Sequence, residues 1–380
     1  MQVMMFAFAC EPGRGSEPGT GYIFVRALAQ ASKRHSWDST VFTRPHTVEK
    51  IKAALESEEL GDGVSIEAVS IPMWLVSVTR RERVRWAYLA WQMLAVKRAR
   101  STLRDDVPTV VHHVTFATDG LPTFERALRR HAARVFGPAG STTSDRSWKA
   151  RLARTARHYF ARTNLAGAQL AIAQNDEVAA SWQDFDVPVI VEPNIALPQD
   201  APGRGEAKDT FRVAWSGVLV PRKDPLTAIR TVAELPAEYT LDLFGDGPLR
   251  SQIEQEIDRL GLHNRVSVHG WLDRNELLLR LNRCSILLHT SHQEGAPWAV
   301  GEAQTRGLIP VVRDGSGADV VVKLGGTGVV CSTPTPKGFA MAVQEAAAQA
   351  SRPVDRWDMN RFSDLFAGWY SQAHLRWTGV

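Results

Sequence analysis

Residues 284–303 read Cys-Ser-Ile-Leu-Leu-His-Thr-Ser-His-Gln-Glu-Gly-Ala-Pro-Trp-Ala-Val-Gly-Glu-Ala, an apolar run, a turn and a helix start in direct succession. Cys284 to His289 predicts a buried strand, and Glu294-Gly295 a turn. Pro297 suits the first helical position, where its missing N–H leaves no bond unmade. Glu294 then lies in the loop ahead of the helix and Glu302 inside it. Gly295, Ala296, Pro297 and Trp298 form the helix entry, where free N–H groups backed by the macrodipole favour an anion such as phosphate. The two carboxylates are suited to accept hydrogen bonds from sugar hydroxyls. A diphosphate-linked sugar would fit both features. Two glutamates at this spacing are, by themselves, more often a solvated loop carboxylate and a helix-face residue, so the rest of the chain decides.

The flanking sequence repeats a strand-loop-helix grammar. Phe211 to Gly217 predicts a strand, followed by a loop through Pro225 and a helix from Leu226. Lys223 stands at that junction, well placed to neutralise a diphosphate leaving group, with Arg222 beside it. Tyr239 to Gly247 predicts a strand and a glycine turn containing Gly245, then a helix from Pro248. Val266 to Gly270, Trp271 and a helix from Asn275 follow, and Gly307 to Val312 adds another strand. Alternating strands and helices predict a parallel sheet.

The first half has the same pattern. Val3 to Ala9 predicts a strand, Glu11 to Gly21 a glycine-rich loop and Tyr22 to Ser32 a helix. Gly15, Gly19 and Gly21 would let the backbone approach a phosphate, although such turns also occur in doubly wound folds for packing alone. Thr109 to Thr118 predicts a strand that carries His112 and His113 to its end, the edge where ligands bind in open α/β sheets. A histidine there is also often a satisfied structural residue. Residues 198–210 lose hydrophobic periodicity and carry Pro, Gly and charge, which marks a linker. The expected domains are therefore 1–197 and 211–354, with an aromatic-rich helix over 355–380 that crosses back to the first.

The quoted motifs resemble family 4 retaining glycosyltransferases. The family's Glu-x7-Glu signature stands here as EGAPWAVGEA, and its Gly-Arg-Leu-x-x-x-Lys element as Gly217-Val218-Leu219-Val220-Pro221-Arg222-Lys223, with Val218 where the family carries Arg. CEPGRGSEPGTGY is similar to the first loop of a subset of these enzymes. The resemblance implies a GT-B fold, two doubly wound Rossmann-like domains facing across a cleft. It also implies metal-independent, retaining transfer from a nucleotide-diphosphate sugar to a hydroxyl, with no cofactor beyond that co-substrate. Glu294 would contact the donor sugar, Glu302 the ribose, and Lys223 the diphosphate. Gly217, Arg222, Gly245 and Trp271 would line the donor site, and His113, with His112 as alternate, would reach donor sugar or acceptor. A sugar-nucleotide epimerase and a non-catalytic nucleotide-sugar binder remain the alternatives.

Composition bounds the class. The chain has 380 residues, 44% of them hydrophobic, and a net charge of +4, enough for about two domains with real cores. Cys10, Cys284 and Cys331 lack disulfide or zinc spacing, which fits a reducing cytoplasm. No apolar run spans a bilayer. Residues 80–162 carry 18 Lys and Arg against 6 Asp and Glu, concentrated in 80–104 and 146–162. The first of these reads as a basic amphipathic helix, fitting an anionic membrane surface or an ordinary surface helix with its aromatic stripe in the core. No nucleic-acid motif accompanies the charge. The expected acceptor is a glycan or lipid-linked saccharide, reached by a cytoplasmic protein peripheral to the membrane.

Overall fold

The computed structural model describes residues 1–14, 16–72, 84–118, 120–140, 158–197, 209–350 and 352–379. The chain divides into two compact units, Met1–Asn194 with Met359–Val380, and Ile195–Asp358. Of the linker expected over 198–210, residues 198–208 lie outside the described residues, and Asp209 and Thr210 already belong to a strand.

The N-terminal unit is built on a seven-stranded parallel sheet in the order β3-β2-β1-β4-β5-β6-β7. Its strands are β1 Gln2–Phe6, β2 Asp38–Thr43, β3 Ser65–Ala68, β4 Thr109–His113, β5 Ala133–Ala139, β6 Leu170–Ala173 and β7 Val189–Val191. β1 (QVMMF) and β6 (LAIA) are buried along their whole length. Covered on both faces, they read as continuous apolar runs with no alternation.

The first helix departs from expectation. It spans Ser16–His35, so Gly19 and Gly21 lie within it and not in a loop; Gly15 lies outside the described residues. Pro18 falls in the first turn, where no intrahelical N–H bond is lost, and Glu17 there complements the helix dipole. The Glu17 carboxylate also accepts the Phe116 N–H at 2.5 Å. Gly21 serves packing: a Cβ at this position would lie 2.0 Å from the Ala9 carbonyl oxygen. Helix Met359–Thr378 belongs to the same unit. It lies against Ser16–His35 through Phe24 and Phe362, whose ring centroids are 5.1 Å apart, and through the Ser363 hydroxyl, which donates to the Ala27 carbonyl at 3.0 Å.

The C-terminal unit holds a six-stranded parallel sheet in the order β10-β9-β8-β11-β12-β13. The strands are β8 Asp209–Ser216, β9 Thr240–Phe244, β10 Val266–Gly270, β11 Cys284–His289, β12 Ile309–Arg313 and β13 Val329–Cys331. Helix Pro225–Glu234 covers one face, burying Pro225, Ala228, Ile229 and Val232. That i, i+3, i+4, i+7 spacing gives one apolar stripe, and each full burial of Ile229 or Val232 is worth about 1.5–3 kcal/mol. In both sheets the strand order reverses beside the first strand, at β1/β4 and at β8/β11, which defines a topological switch point in each. Two such Rossmann-like domains constitute the GT-B fold.

Candidate functional site

The carboxyl ends of β8 and β11 converge on one cluster. The Trp215 indole, buried at the end of β8, donates to Thr290 Oγ1 at 3.0 Å, and Thr290 Oγ1 donates to the Asp224 carbonyl at 2.7 Å. These bonds pin the turn Pro221–Lys223 to the end of β11. Asp224 then reverses the chain with a positive φ of 50° and caps helix Pro225–Glu234 by accepting the Thr227 N–H. Arg313 holds its other oxygen at 3.1 Å. Lys223 is thereby directed over the strand ends. The Asp-Pro pair is a helix-start signal readable in sequence; the bonds from Trp215 and Arg313 are not.

Lys223 Nζ lies 2.5 Å from Glu294 Oε1, and Arg222 Nη1 lies 3.0 Å from the same oxygen and 2.7 Å from the Gln293 carbonyl. Burial pushes the Glu294 carboxyl up, but Lys223, His289 and Arg222 together hold it below the usual carboxylate range. The structure thus joins three of the expected residues, with Arg222 and Lys223 as neighbouring cations on one carboxylate. Val218, where the family pattern has Arg, is half exposed at the edge of the same site.

Beside Lys223 opens a pocket of about 220 Å³. Gly217, Phe244 and Gly245 line one part, and Trp271, Leu272 and Leu277 the apolar side. Trp271 is 72% exposed. Gly245 has φ of +144°, and a Cβ there would fall 1.8 Å from the Gly217 carbonyl oxygen, so no larger residue fits. The pocket joins a cationic end to an apolar end, the chemistry required by a diphosphate attached to an aromatic base.

The second carboxylate is placed differently. Helix Trp298–Thr305 buries Glu302, which meets Arg274 Nη2 at 2.5 Å, with the Arg274 guanidinium 6.0 Å from the Trp298 ring centroid. Pro297 is the N-cap, with extended backbone (φ −72°, ψ 113°), and not the first helical residue; its fixed φ suits either place. Gly295 and Ala296 lie in the preceding loop, and the Glu294 N–H donates to the Ser316 carbonyl at 2.6 Å. Arg274, Asp224 and His289 received no role from sequence. Arg274 is separated from Glu302 by 28 positions, and no local signal joins them.

His113 does not occupy the ligand-facing position expected of it. It is fully buried, with Nε2 2.7 Å from the Tyr88 hydroxyl and Nδ1 3.3 Å from Glu125 Oε2. His112 is equally enclosed: Nε2 donates to the Gly137 carbonyl at 2.8 Å, leaving Nδ1 to accept from Tyr370 at 2.9 Å. The apolar run that delivers these rings to the strand end also seals them inside.

Burial holds His112 and His289 neutral, with pKa values lowered to about 3. The unfolded chain protonates both near pH 6.5, so stability falls as pH drops from there toward 3. Between pH 6.5 and 4.5 each histidine should cost roughly 2 kcal/mol. Urea melts at the two pH values should show the loss, and His289→Gln should remove about half of it. An unchanged pH slope in that variant would contradict the assignment.

Residues 199–358 match the family Glycosyl transferases group 1, nearly the whole unit that holds Lys223, Glu294 and Glu302. Over 89 residues, 23% of this chain, the sequence is 40% identical to the lipopolysaccharide core biosynthesis glycosyltransferase LpsD of Rhizobium meliloti (strain 1021). That stretch spans 26% of the relative's length. Among solved structures, Anabaena Alr3699/HepE in complex with UDP and glucose is 17% identical, with a TM-score of 0.56 over 100% of both chains. Sucrose-phosphate synthase (tll1590) from Thermosynechococcus elongatus is also 17% identical, with a TM-score of 0.64 over 100% of this chain and 94% of that one. At these identities the structural likeness concerns the fold. These structures agree with two Rossmann-like domains of the GT-B kind, and the family match lies over the second of them.

Proposed function

We propose that the chain is a retaining, metal-independent hexosyltransferase that moves a sugar from a nucleoside diphosphate donor to a hydroxyl of a surface glycan or lipid-linked acceptor. The observation that carries this reading is the convergence of Lys223, Arg222 and Glu294 at the β8/β11 switch point, against a pocket with an apolar end. The base would rest on Trp271, Leu272 and Leu277, and Glu302 would accept from the ribose hydroxyls. Lys223 and Arg222 would balance the charge that grows on the diphosphate as the glycosidic bond breaks. The acceptor hydroxyl would enter on the face the diphosphate leaves, its proton passing to the departing phosphate. UDP and glucose, bound by Anabaena Alr3699/HepE, are the first donor components to try. The lipopolysaccharide role of the Rhizobium relative favours a surface-glycan acceptor, met on the cytoplasmic side of a membrane.

A thermal-shift screen against UDP, GDP, ADP and their sugar conjugates tests the reading, because a ligand that binds the native state raises the melting midpoint by mass action. One nucleotide should raise it by several degrees, and its sugar conjugate should be slowly hydrolysed without acceptor. A folded protein that responds to none of them would overturn the proposal. Binding without turnover across an acceptor panel would leave a nucleotide-sugar binder in its place.

A further inference from the structure

Helix Val84–Thr102 is buried along one side, where Tyr88, Trp91, Ala95 and Ala99 enter the core. Its opposite side presents large apolar groups to solvent: Trp86 is 69% exposed and Met93 63%. Seven residues apart, they lie two turns along one line of the helix, with Leu94 beside Met93. Met93 also borders a mostly apolar cavity of about 590 Å³, walled on its other side by Tyr159 and Phe160. Tyr159 is 63% exposed. Exposed apolar groups gathered in this way mark an interaction surface.

Cations outnumber carboxylates around this apolar line, with Arg98 paired to Glu67 at 3.3 Å and Arg104 to Asp38 at 3.4 Å and Asp106 at 3.8 Å at its far end. Residues 84–104, 122–131 and 158–165 carry nine Arg and Lys and one carboxylate, Glu125, which is buried and held by Arg134 at 3.0 Å. Arg85, Lys97, Arg126, Arg129, Arg130 and Arg162 are exposed. The basic segments 80–83 and 146–157 lie outside the described residues.

We infer that this face docks on an anionic lipid bilayer, with Trp86, Met93 and Tyr159 entering the interface and the surrounding cations meeting lipid phosphates. Trp and Tyr place an apolar ring and a polar edge at such a boundary. Each cation near an anionic surface strengthens binding about fivefold. A second copy of the chain would bring two like-charged faces together, which disfavours association. No described helix is long and apolar enough to cross a membrane, so the contact is one of surface adsorption. The inference rests on exposure and charge, independently of the glycosyl-transfer reading.

Co-sedimentation of the full chain with phosphatidylcholine vesicles, with and without about one-third phosphatidylglycerol, tests it. The wild type should sediment with the anionic vesicles, should not do so with phosphatidylcholine alone, and should be released by high salt. Arg126→Gln with Arg130→Gln should weaken binding about 25-fold, and Trp86→Ser with Met93→Ser about tenfold or more. All four positions are exposed, and unchanged melting midpoints would establish that the variants fold. Absence of binding to anionic vesicles, equal binding to both vesicle types, or wild-type binding by the variants would overturn the inference. So would a concentration-dependent dimer that buries Trp86. Donor hydrolysis measured on the same samples reports on the proposed activity separately.

Discussion

Lys223→Ala should lower sugar transfer about 10²–10³-fold while leaving the chain folded, the range seen when one preorganised donor to a developing negative charge is removed. The effect is specific to this position. The turn that carries Lys223 is fixed by the Thr290 and Asp224 bonds, so the ammonium is held at the strand ends before any ligand arrives. Arg222 lies 3.0 Å from the same Glu294 oxygen, but it is half exposed and its guanidinium is already committed to the Gln293 carbonyl. It should retain part of the anion affinity and little of the rate. Lys223→Arg should recover binding better than turnover, because the planar fork cannot reproduce a compact ammonium. The Glu294 carboxyl, relieved of its principal positive neighbour, should move to a higher pKa in Lys223→Ala, which the pH profile of residual activity would register. Steady-state kinetics with the nucleotide found by thermal shift measure all of this. Turnover within threefold of wild type in Lys223→Ala would remove the residue from the mechanism.

The largest stability loss is expected from Glu125→Ala, at about 3–5 kcal/mol. Glu125 is 2% exposed, and Arg134, its partner at 3.0 Å, is 1% exposed. Arg134 also donates to the carbonyls of Ala166 and Asn164, both at 3.0 Å. Removing the carboxylate leaves a guanidinium in the core with no counter-charge, and the unmet desolvation sets the size of the loss. Burial pushes the Glu125 carboxyl up, yet the neighbouring His113 ring and Arg134 hold it at about 2. Its contribution is therefore complete above the unfolded value near 4.5 and disappears as pH falls toward 2. Denaturant melts at pH 7 would measure the loss. Glu125→Leu with Arg134→Met should recover much of it, since paired apolar replacements remove both desolvation costs. A loss below about 1 kcal/mol in Glu125→Ala would mean that water reaches Arg134.

His113 is drawn into that network, and this explains why the sequence misplaced it. A histidine at the end of an apolar strand occupies the right edge of an α/β sheet for a ligand, and nothing local distinguishes a ring facing solvent from one facing Tyr88 and Glu125. Gly19 and Gly21 lie in a helix and not in the expected loop for a related reason. Glycines beside a strand suggest a phosphate loop, but the helix already begins at Ser16, and Gly21 within it packs against the Ala9 carbonyl.

What the sequence determined by itself was the part governed by near neighbours. Strand-helix alternation, the apolar strand before Glu294, the Lys223 junction and the glycine turn at Gly245 all arise from propensity, periodicity and turn geometry within about ten residues. They were enough to specify two doubly wound domains and to name Lys223 and Glu294 as candidates. Tertiary structure alone decided what lies across the sheet. It brought Glu294 to Lys223 across 71 positions and Arg274 to Glu302 across 28, and it enclosed His113 with Glu125. It also left Trp86 and Met93 bare while burying Tyr88 and Trp91 of the same helix. Long-range pairing depends on strand order and on which face each helix covers, and a single chain of residue types does not state either. Burial then fixes whether a polar group is held in the core or left available to a ligand.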